Sequence, residues 1–330
     1  MPKSTTALCG LGLALALGTA AHARTELVLT SEVAATHWKT GYMERFAELV
    51  EAKTDGEVSV QVFPAAQLYN DRDGVAALGS GAVHMVWPVP VHLETIDPRV
   101  GIVTLPFTLT DALMQNQDFA ADFVDLVSGY TEPRNIEVLA FLRAADAMFL
   151  TRGEAVRTPA DIDGMKIRVT GGRILLDVMN SFGASAISMP ASEMSTAFSQ
   201  GVIDGIFTTP TGWSRMVGIS ADHAALIPGL SLLTYAVAVD KAWLEGLPAA
   251  HRDAIVESIR EIALTQWSEA IAADAEEIRT MVGEGADYWT ASADETAVWQ
   301  EMAAEPLAAW IANHQDVHDA YEALRATHGF

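Results

Sequence analysis

The sequence predicts an α/β protein of about two domains. Three observations point there. Short apolar strands alternate with amphipathic helices along most of the chain. A chain of 330 residues exceeds what one ordinary domain needs. And residues 249–282 contain neither glycine nor proline, which predicts one helix roughly 50 Å long at 1.5 Å per residue, enough to run along two domains.

The elements follow in order. Residues 26–30, "ELVLT", read as a first strand, and 38–52 as a helix with Tyr42, Phe46, Leu49 and Val50 near one face. "VSVQVF" at 58–63 alternates as a half-buried strand does. A helix begins over 73–78, and "AVHMVWPVPV" at 82–91 is a strand running into a proline-broken loop. Residues 110–128 are helical and "IEVLAFLR" at 136–143 is a strong strand. The middle repeats the style, with strands at 166–169, 185–189, 205–209 and 233–239 and helices at 174–182 and 192–201. After the long helix, in which Ile255, Ile259, Ile262 and Trp267 fall near one face, a second helical segment covers 294–326. The alternation predicts largely parallel sheets.

Residues 1–23 stand apart from this pattern. Lys3 precedes the apolar run "ALCGLGLALALG", and Ala21-His22-Ala23 fits the small-x-small rule of a secretory leader, with cleavage expected after Ala23. The run is too short for a membrane helix. Cys9, the only cysteine, lies in that run with almost nothing before it, which does not fit a lipidation site. The rest of the chain has no thiol for disulfides or metal binding. It carries 19 basic against 43 acidic residues, a net charge of −24. That excess argues against nucleic acid or an anionic membrane as partner and favours a soluble, periplasmic protein.

Catalytic machinery is hard to find. The chain has no G-x-S-x-G, no phosphate-binding loop and no G-x-G-x-x-G after a strand, so no catalytic residue, cofactor or metal is assigned. His314 and His318 have the spacing of metal ligands on a helix, but no third ligand accompanies them. His37, His84 and His92 are scattered and read as surface or capping residues. Gly171-Gly172 opens a helix, where a plain turn competes with an anion site. Trp87, Phe207, Trp213 and Tyr235 fall at the ends of expected strands, where open α/β sheets bind ligands; core packing explains any one of them equally well. Arg168 differs. It interrupts the apolar strand "KIRV", and a guanidinium buried there needs a partner, either a structural carboxylate or that of a ligand. Its planar fork suits a carboxylate in both cases.

"RTPADIDGMKIRV" (157–169) and "FGASAISMPASEMSTAFSQGVIDG" (182–205), with "FAELVEAKTDGEVSVQVFPAAQL" (46–68), "LPF" (105–107) and "DKAWLEGLP" (240–248), resemble the substrate-binding proteins of tripartite ATP-independent periplasmic (TRAP) transporters, the DctP-type extracytoplasmic solute receptors. The resemblance covers nearly all of the chain after the leader. It implies a two-domain periplasmic binding protein of Venus-flytrap form, with crossing strands and a long helix along both domains. We expect domain I over 24–145 and 234–273, and domain II over 146–233 and 274–330. It further implies a ligand in the cleft, the small and large TRAP membrane subunits as partners, uptake coupled to an ion gradient, usually sodium, and a monomer as the usual state. The arginine of the "KIRV" strand holds a substrate carboxylate in such proteins, which assigns Arg168 to the ligand. Arg173 reads as a solvated helix-start residue.

Two departures bear on the ligand. A second arginine common in the family after the "VLAF" strand falls at Ala147 here, with Arg143 and Arg152 the nearest substitutes. The family's "DGQENP" is replaced by "DGIFTTPTGW", so Thr208 or Thr209 stands for a ligand-binding asparagine, with Phe207 and Trp213 added. A sialic acid or simple C4-dicarboxylate is disfavoured, and a smaller or more apolar monocarboxylate fits better. Glu32, after the first strand, matches the acidic residue that meets the cationic end of zwitterionic solutes in some relatives; capping a following helix or facing water is the plainer explanation. The ligand class therefore spans amino-acid-like, ectoine-like, keto-acid and aromatic-acid solutes. The competing functional readings are a solute-binding protein for an ATP-driven importer or a sensor kinase, and a periplasmic enzyme.

Overall fold

The computed structural model describes residues 24–330, so the leader expected over 1–23 lies outside the described residues. In chain order the strands are β1 (Thr25–Thr30), β2 (Val58–Phe63), β3 (Met85–Val86), β4 (Ile136–Asp146), β5 (Met148–Thr151) and β6 (Lys166–Val169). They continue as β7 (Ser185–Ser188), β8 (Gly205–Thr208), β9 (His223–Leu226), β10 (Leu232–Asp240) and β11 (Asp287–Thr290). The helices are α1 (Trp38–Lys53), α2 (Asp71–Ala77), α3 (Asp111–Gln115), α4 (Gln117–Thr131), α5 (Arg173–Ser181) and α6 (Ala191–Ser199). After them come the single turn α7 (Pro210–Gly212), then α8 (Lys241–Glu245), α9 (Ala249–Gly283), α10 (Ala293–Asn313) and α11 (Gln315–Thr327).

Two sheets organise two lobes. The first runs β2-β1-β3-β10-β4 and the second β11-β9-β5-β8-β6-β7. In the first lobe α1 carries the chain from β1 to its parallel neighbour β2, and Met43, Phe46 and Val50 bury one face of that helix with Leu27 and Leu29. The chain passes between sheets at Ala147 and again at 227–231, where the Ala147 N–H donates to the Ser231 carbonyl at 2.8 Å and ties the two crossings together.

The sheets are mixed rather than largely parallel: β10 is antiparallel to β3 and β4, and β5 to β8 and β9. A strand that returns from the other lobe runs against those entering through a helical crossover, and apolar alternation carries no information on direction. Three four-residue strands, β5, β9 and β11, escape the sequence pattern. Within 82–91 the strand is short, Met85–Val86, and gives way as expected at Pro88 and Pro90, which cannot donate to a ladder; a 3₁₀ turn follows at Pro90–Thr95. The helix expected at 110–128 breaks at Asn116, whose side chain caps α4 by accepting from Phe119 N–H.

Helix α9 does run past both sheets, packing on β4 and α1 at one end and on β11 at the other. The C-terminal segment splits at His314. Helix α10 lies on α5, with Trp299 against Phe149 (ring centroids 5.3 Å apart) and Phe182 (4.9 Å), whereas α11 returns to α4 through Tyr321 and Phe119. His314 stacks on Trp310 at 4.4 Å. Among the described residues, no helix is long and apolar enough to cross a membrane.

Candidate ligand-binding site

Strand β6 sits between β7 and β8. Successive side chains point to opposite faces, so Ile167 and Val169 enter the core and Arg168 emerges on the other face, toward the gap between the lobes. Arg168 is 1 % exposed. Its Nε donates to the Met189 carbonyl at 3.0 Å, while neither terminal nitrogen has a hydrogen-bond partner among the described residues. Burial pulls its pKa down to about 10 against the opposing pull of Glu32. The fork of a still-charged guanidinium is thus unsatisfied where such a group is most costly.

Around it lies a small cavity of about 30 Å³, room for about two waters at roughly 10–15 Å³ each, so the lobes are closed here. The first lobe supplies Glu32, Val33, His37, Val89, Ala144, Leu233 and Tyr235, and the second Thr170, Ala191, Met194, Thr208, Thr209, Gly212 and Met216. Thr170 Oγ1 is a further buried polar atom without a partner. Thr209 Oγ1 is committed to the Gly212 N–H at 3.0 Å, where it caps α7.

A second layer of charge lies beneath the first lobe's wall. Lys39, fully buried, donates to Asp71 Oδ2 and to the Trp87 carbonyl, both at 3.0 Å, and stands 4.0 Å from the centre of the Tyr235 ring. Glu32 N–H donates to Asp71 Oδ1 at 2.9 Å, and Glu32 Oε1 accepts from Ala191 N–H of the other lobe at 3.2 Å. Burial first, then the charge of Asp71, raises the Glu32 pKa to about 7. His37 is driven down to about 3 by burial and by Lys39, so it is neutral; its Nδ1 accepts from Lys39 N–H, which leaves the ring hydrogen on Nε2. Burial pushes the Tyr235 phenol above its ordinary range, so it stays protonated.

The structure brings Arg168, Glu32, Thr208, Thr209 and Tyr235 to one cavity and places three predicted aromatics elsewhere. Trp87 is in the first core, its Nε1 on Met85 Sδ and its ring 6.0 Å from Phe46; its carbonyl is what matters, through Lys39. Phe207 packs on Phe149 at 4.9 Å, on the face of β8 opposite Thr208. Trp213 donates to the Ala221 carbonyl at 2.9 Å inside the second core. Arg143 and Arg152 do not line the cavity. Arg143 is bound to Asp111, Asp146 and Asp274, and Arg152 to the Ser220 carbonyl. Arg173 is exposed beside Asp177. The anion received at Gly171-Gly172 is the chain's own Glu94, which accepts from Arg173 N–H at 3.0 Å.

Sequence reasoning missed Lys39, Asp71, Met194 and Met216; His37, read as a surface or capping residue, does cap α1, but it is buried and lines the cavity. Lys39 left a signal: it stands four, seven and eleven residues before Met43, Phe46 and Val50, on the buried stripe of α1.

Comparison with known proteins agrees with this architecture. The model of the family "Bacterial extracellular solute-binding protein, family 7" matches residues 29–313. The C4-dicarboxylate-binding periplasmic protein DctP of Rhodobacter capsulatus is 28 % identical over 299 residues, 88 % of each chain. The 2,3-diketo-L-gulonate-binding periplasmic protein YiaO of Escherichia coli is 25 % identical over 70 % of this chain and 74 % of its own. A TRAP periplasmic solute-binding protein of Shewanella oneidensis with bound succinate superposes with a TM-score of 0.82 at 25 % identity, covering 92 % of this chain and 99 % of that one. One from Anaerococcus prevotii with bound D-glucuronate gives 0.85 at 22 % identity, covering 92 % and 97 %.

Proposed function

We propose that this chain, which belongs to family 7 of the bacterial extracellular solute-binding proteins, captures a small carboxylate-bearing solute between its lobes and delivers it to the two membrane subunits of a TRAP permease driven by an ion gradient. The observation that carries the reading is the pair of Arg168 terminal nitrogens, buried at the cavity with no acceptor among the described residues. A ligand carboxylate supplies two oxygens in the geometry the fork requires. Succinate and glucuronate in the solved relatives are carboxylates of that kind.

The wall narrows the class. Among the described residues Arg168 is the one cation reaching the cavity, because Lys39 is committed to Asp71 and the Trp87 carbonyl. Val33, Val89, Leu233, Met194 and Met216 make much of the remainder apolar. A short monocarboxylate with an apolar body fits better than a dicarboxylate, whose second charge would face Glu32. A zwitterion with its cationic end toward Glu32 and Tyr235 satisfies the same wall. Binding that favours the closed arrangement draws the lobe built on the first sheet against the lobe built on the second, with α11 riding on α4 of the first lobe. A leader over 1–23 and a periplasmic, monomeric state belong to the same reading.

A thermal-shift panel of keto acids, aromatic acids, amino acids, ectoine, succinate and glucuronate tests it. At least one carboxylate raises the melting point of the wild type by mass action and leaves Arg168→Ala unmoved. A panel in which only uncharged solutes stabilise the protein sinks the proposal.

A further inference from the structure

Two helices of the second lobe begin without a side-chain cap of their own. Helix α5 follows Gly172 and α6 follows Pro190, and neither residue offers a side-chain acceptor. The first N–H groups of a helix have no partner within it, and its N-terminus favours negative charge. In both helices the acceptor comes from the opposite lobe. Glu32 Oε1 accepts from Ala191 N–H at 3.2 Å, and Glu94 Oε2 accepts from Arg173 N–H at 3.0 Å.

Both carboxylates are braced from behind. Glu32 Oε2 accepts from Asp71 N–H at 3.4 Å, while the Asp71 carboxylate fixes the Glu32 backbone by accepting its N–H at 2.9 Å and is itself held by Lys39 at 3.0 Å. Glu94 Oε1 accepts from Thr104 Oγ1 at 2.9 Å. The backbone is shaped for the second contact. Gly172 has φ +87°, and a Cβ there would come within 2.8 Å of Val91 Cγ1 and 2.9 Å of Glu94 Oε1.

We propose that Glu32 and Glu94 are caps in trans, positioning residues that hold the second lobe shut on the first by terminating its helices α6 and α5. The inference rests on the receptor reading of the site, since caps shared between lobes matter only where the lobes part. When they part, both carboxylates and both helix ends return to water, so each contact belongs to the closed state alone and biases the molecule toward it. The capped helices are also those that fix Arg168. Strand β6, which carries it, leads through 170–172 into α5, and Met189, which accepts from its Nε, stands two residues before α6 begins. Closure therefore sets the direction of the fork as well as the width of the gap. Glu94 does not line the cavity, so its effect on closure is separable from any contact with ligand.

The test deletes the donors and leaves Glu32, Glu94 and Arg168 in place. Ala191→Pro and Arg173→Pro remove the N–H at the first helical position, where proline is well accepted. Residues 24–330 contain no cysteine, so spin labels at Ala52→Cys, exposed on α1, and Val202→Cys, 49 % exposed beyond α6, report the distance between lobes without interference. Pulsed electron paramagnetic resonance on the ligand-free protein shows a closed population in the wild type. Each proline variant lowers the closed-to-open ratio about 3- to 30-fold, the range a lost helix cap gives. Where a proline variant fails to fold, Glu94→Ala shifts the distribution and Glu94→Gln, which keeps an oxygen acceptor, does not. Distance distributions that stay the same in Arg173→Pro, Ala191→Pro and Glu94→Ala overturn the proposal. So does a wild type with no closed population. Loss of carboxylate protection in Arg168→Ala beside unmoved distances refutes the caps and leaves the receptor reading standing; the reverse pattern refutes the receptor reading.

Discussion

Arg143 and Gln266 exchange two hydrogen bonds, each of 2.8 Å: the Arg143 N–H donates to Gln266 Oε1, and Gln266 Nε2 donates to the Arg143 carbonyl. A side-chain amide thereby stands where the next strand's backbone would, at the free edge of β4, and fastens α9 to it. The Arg143 guanidinium adds Asp111 at 2.7 Å, Asp146 at 3.3 Å and Asp274 on α9. Arg143 is thus a structural hub beside the crossing strands.

Gln266→Ala leaves two buried backbone groups unpaired, at about 1–3 kcal/mol each. Arg143→Ala strands a cluster of acids and costs about 3–5 kcal/mol. Urea denaturation measures both. A loss below about 0.5 kcal/mol in either variant contradicts the hub.

Three partly or fully buried acids set a pH dependence. Burial is the leading cause that raises Glu32 and Glu94 from 4.5 to about 7 and Asp274 from 3.8 to about 7. A raised carboxyl pKa means the folded protein holds protons that the unfolded chain gives up. The contribution is full below the ordinary values and is lost as pH rises through about 7. Urea midpoints should therefore fall from pH 5 to pH 8, with the fall reduced in Glu94→Gln. A midpoint rising over that interval would show that burial does not govern these groups.

Gly172→Ala meets a positive φ and a blocked Cβ position together, whereas Gly201, at φ +69°, has no heavy atom within 4 Å of the Cβ site. Gly201→Ala therefore carries backbone strain alone, about 1–3 kcal/mol, and Gly172→Ala carries that plus displacement of Val91 and Glu94. Equal melting points for the two variants would argue against a tight approach of α5 to the first lobe.

How much of this was legible from residues alone follows from which signals are local. Residues 58–63, 166–169 and 249–282 announce their elements because periodicity and the lack of breakers act within the segment. "MFLT", "HAAL" and "DYWT" do not, because four residues with no clear alternation become strands only through their neighbours. Arg168 was legible because a charge in an apolar strand demands a partner. Trp87, Phe207 and Trp213 were not, since a core aromatic and a pocket aromatic look alike in sequence and only the face on which a side chain emerges separates them. The trans caps were beyond reach, since Glu32 and Ala191 lie 159 residues apart.

Whether Arg168 grips the carboxylate of the solute is decided by calorimetric titration of the best-stabilising carboxylate into wild type, Arg168→Lys and Arg168→Ala. Affinity should drop by about 2–5 kcal/mol for alanine and by a smaller but clear amount for lysine, whose single ammonium cannot form the fork. Equal affinity for that ligand in wild type and Arg168→Ala would contradict the grip.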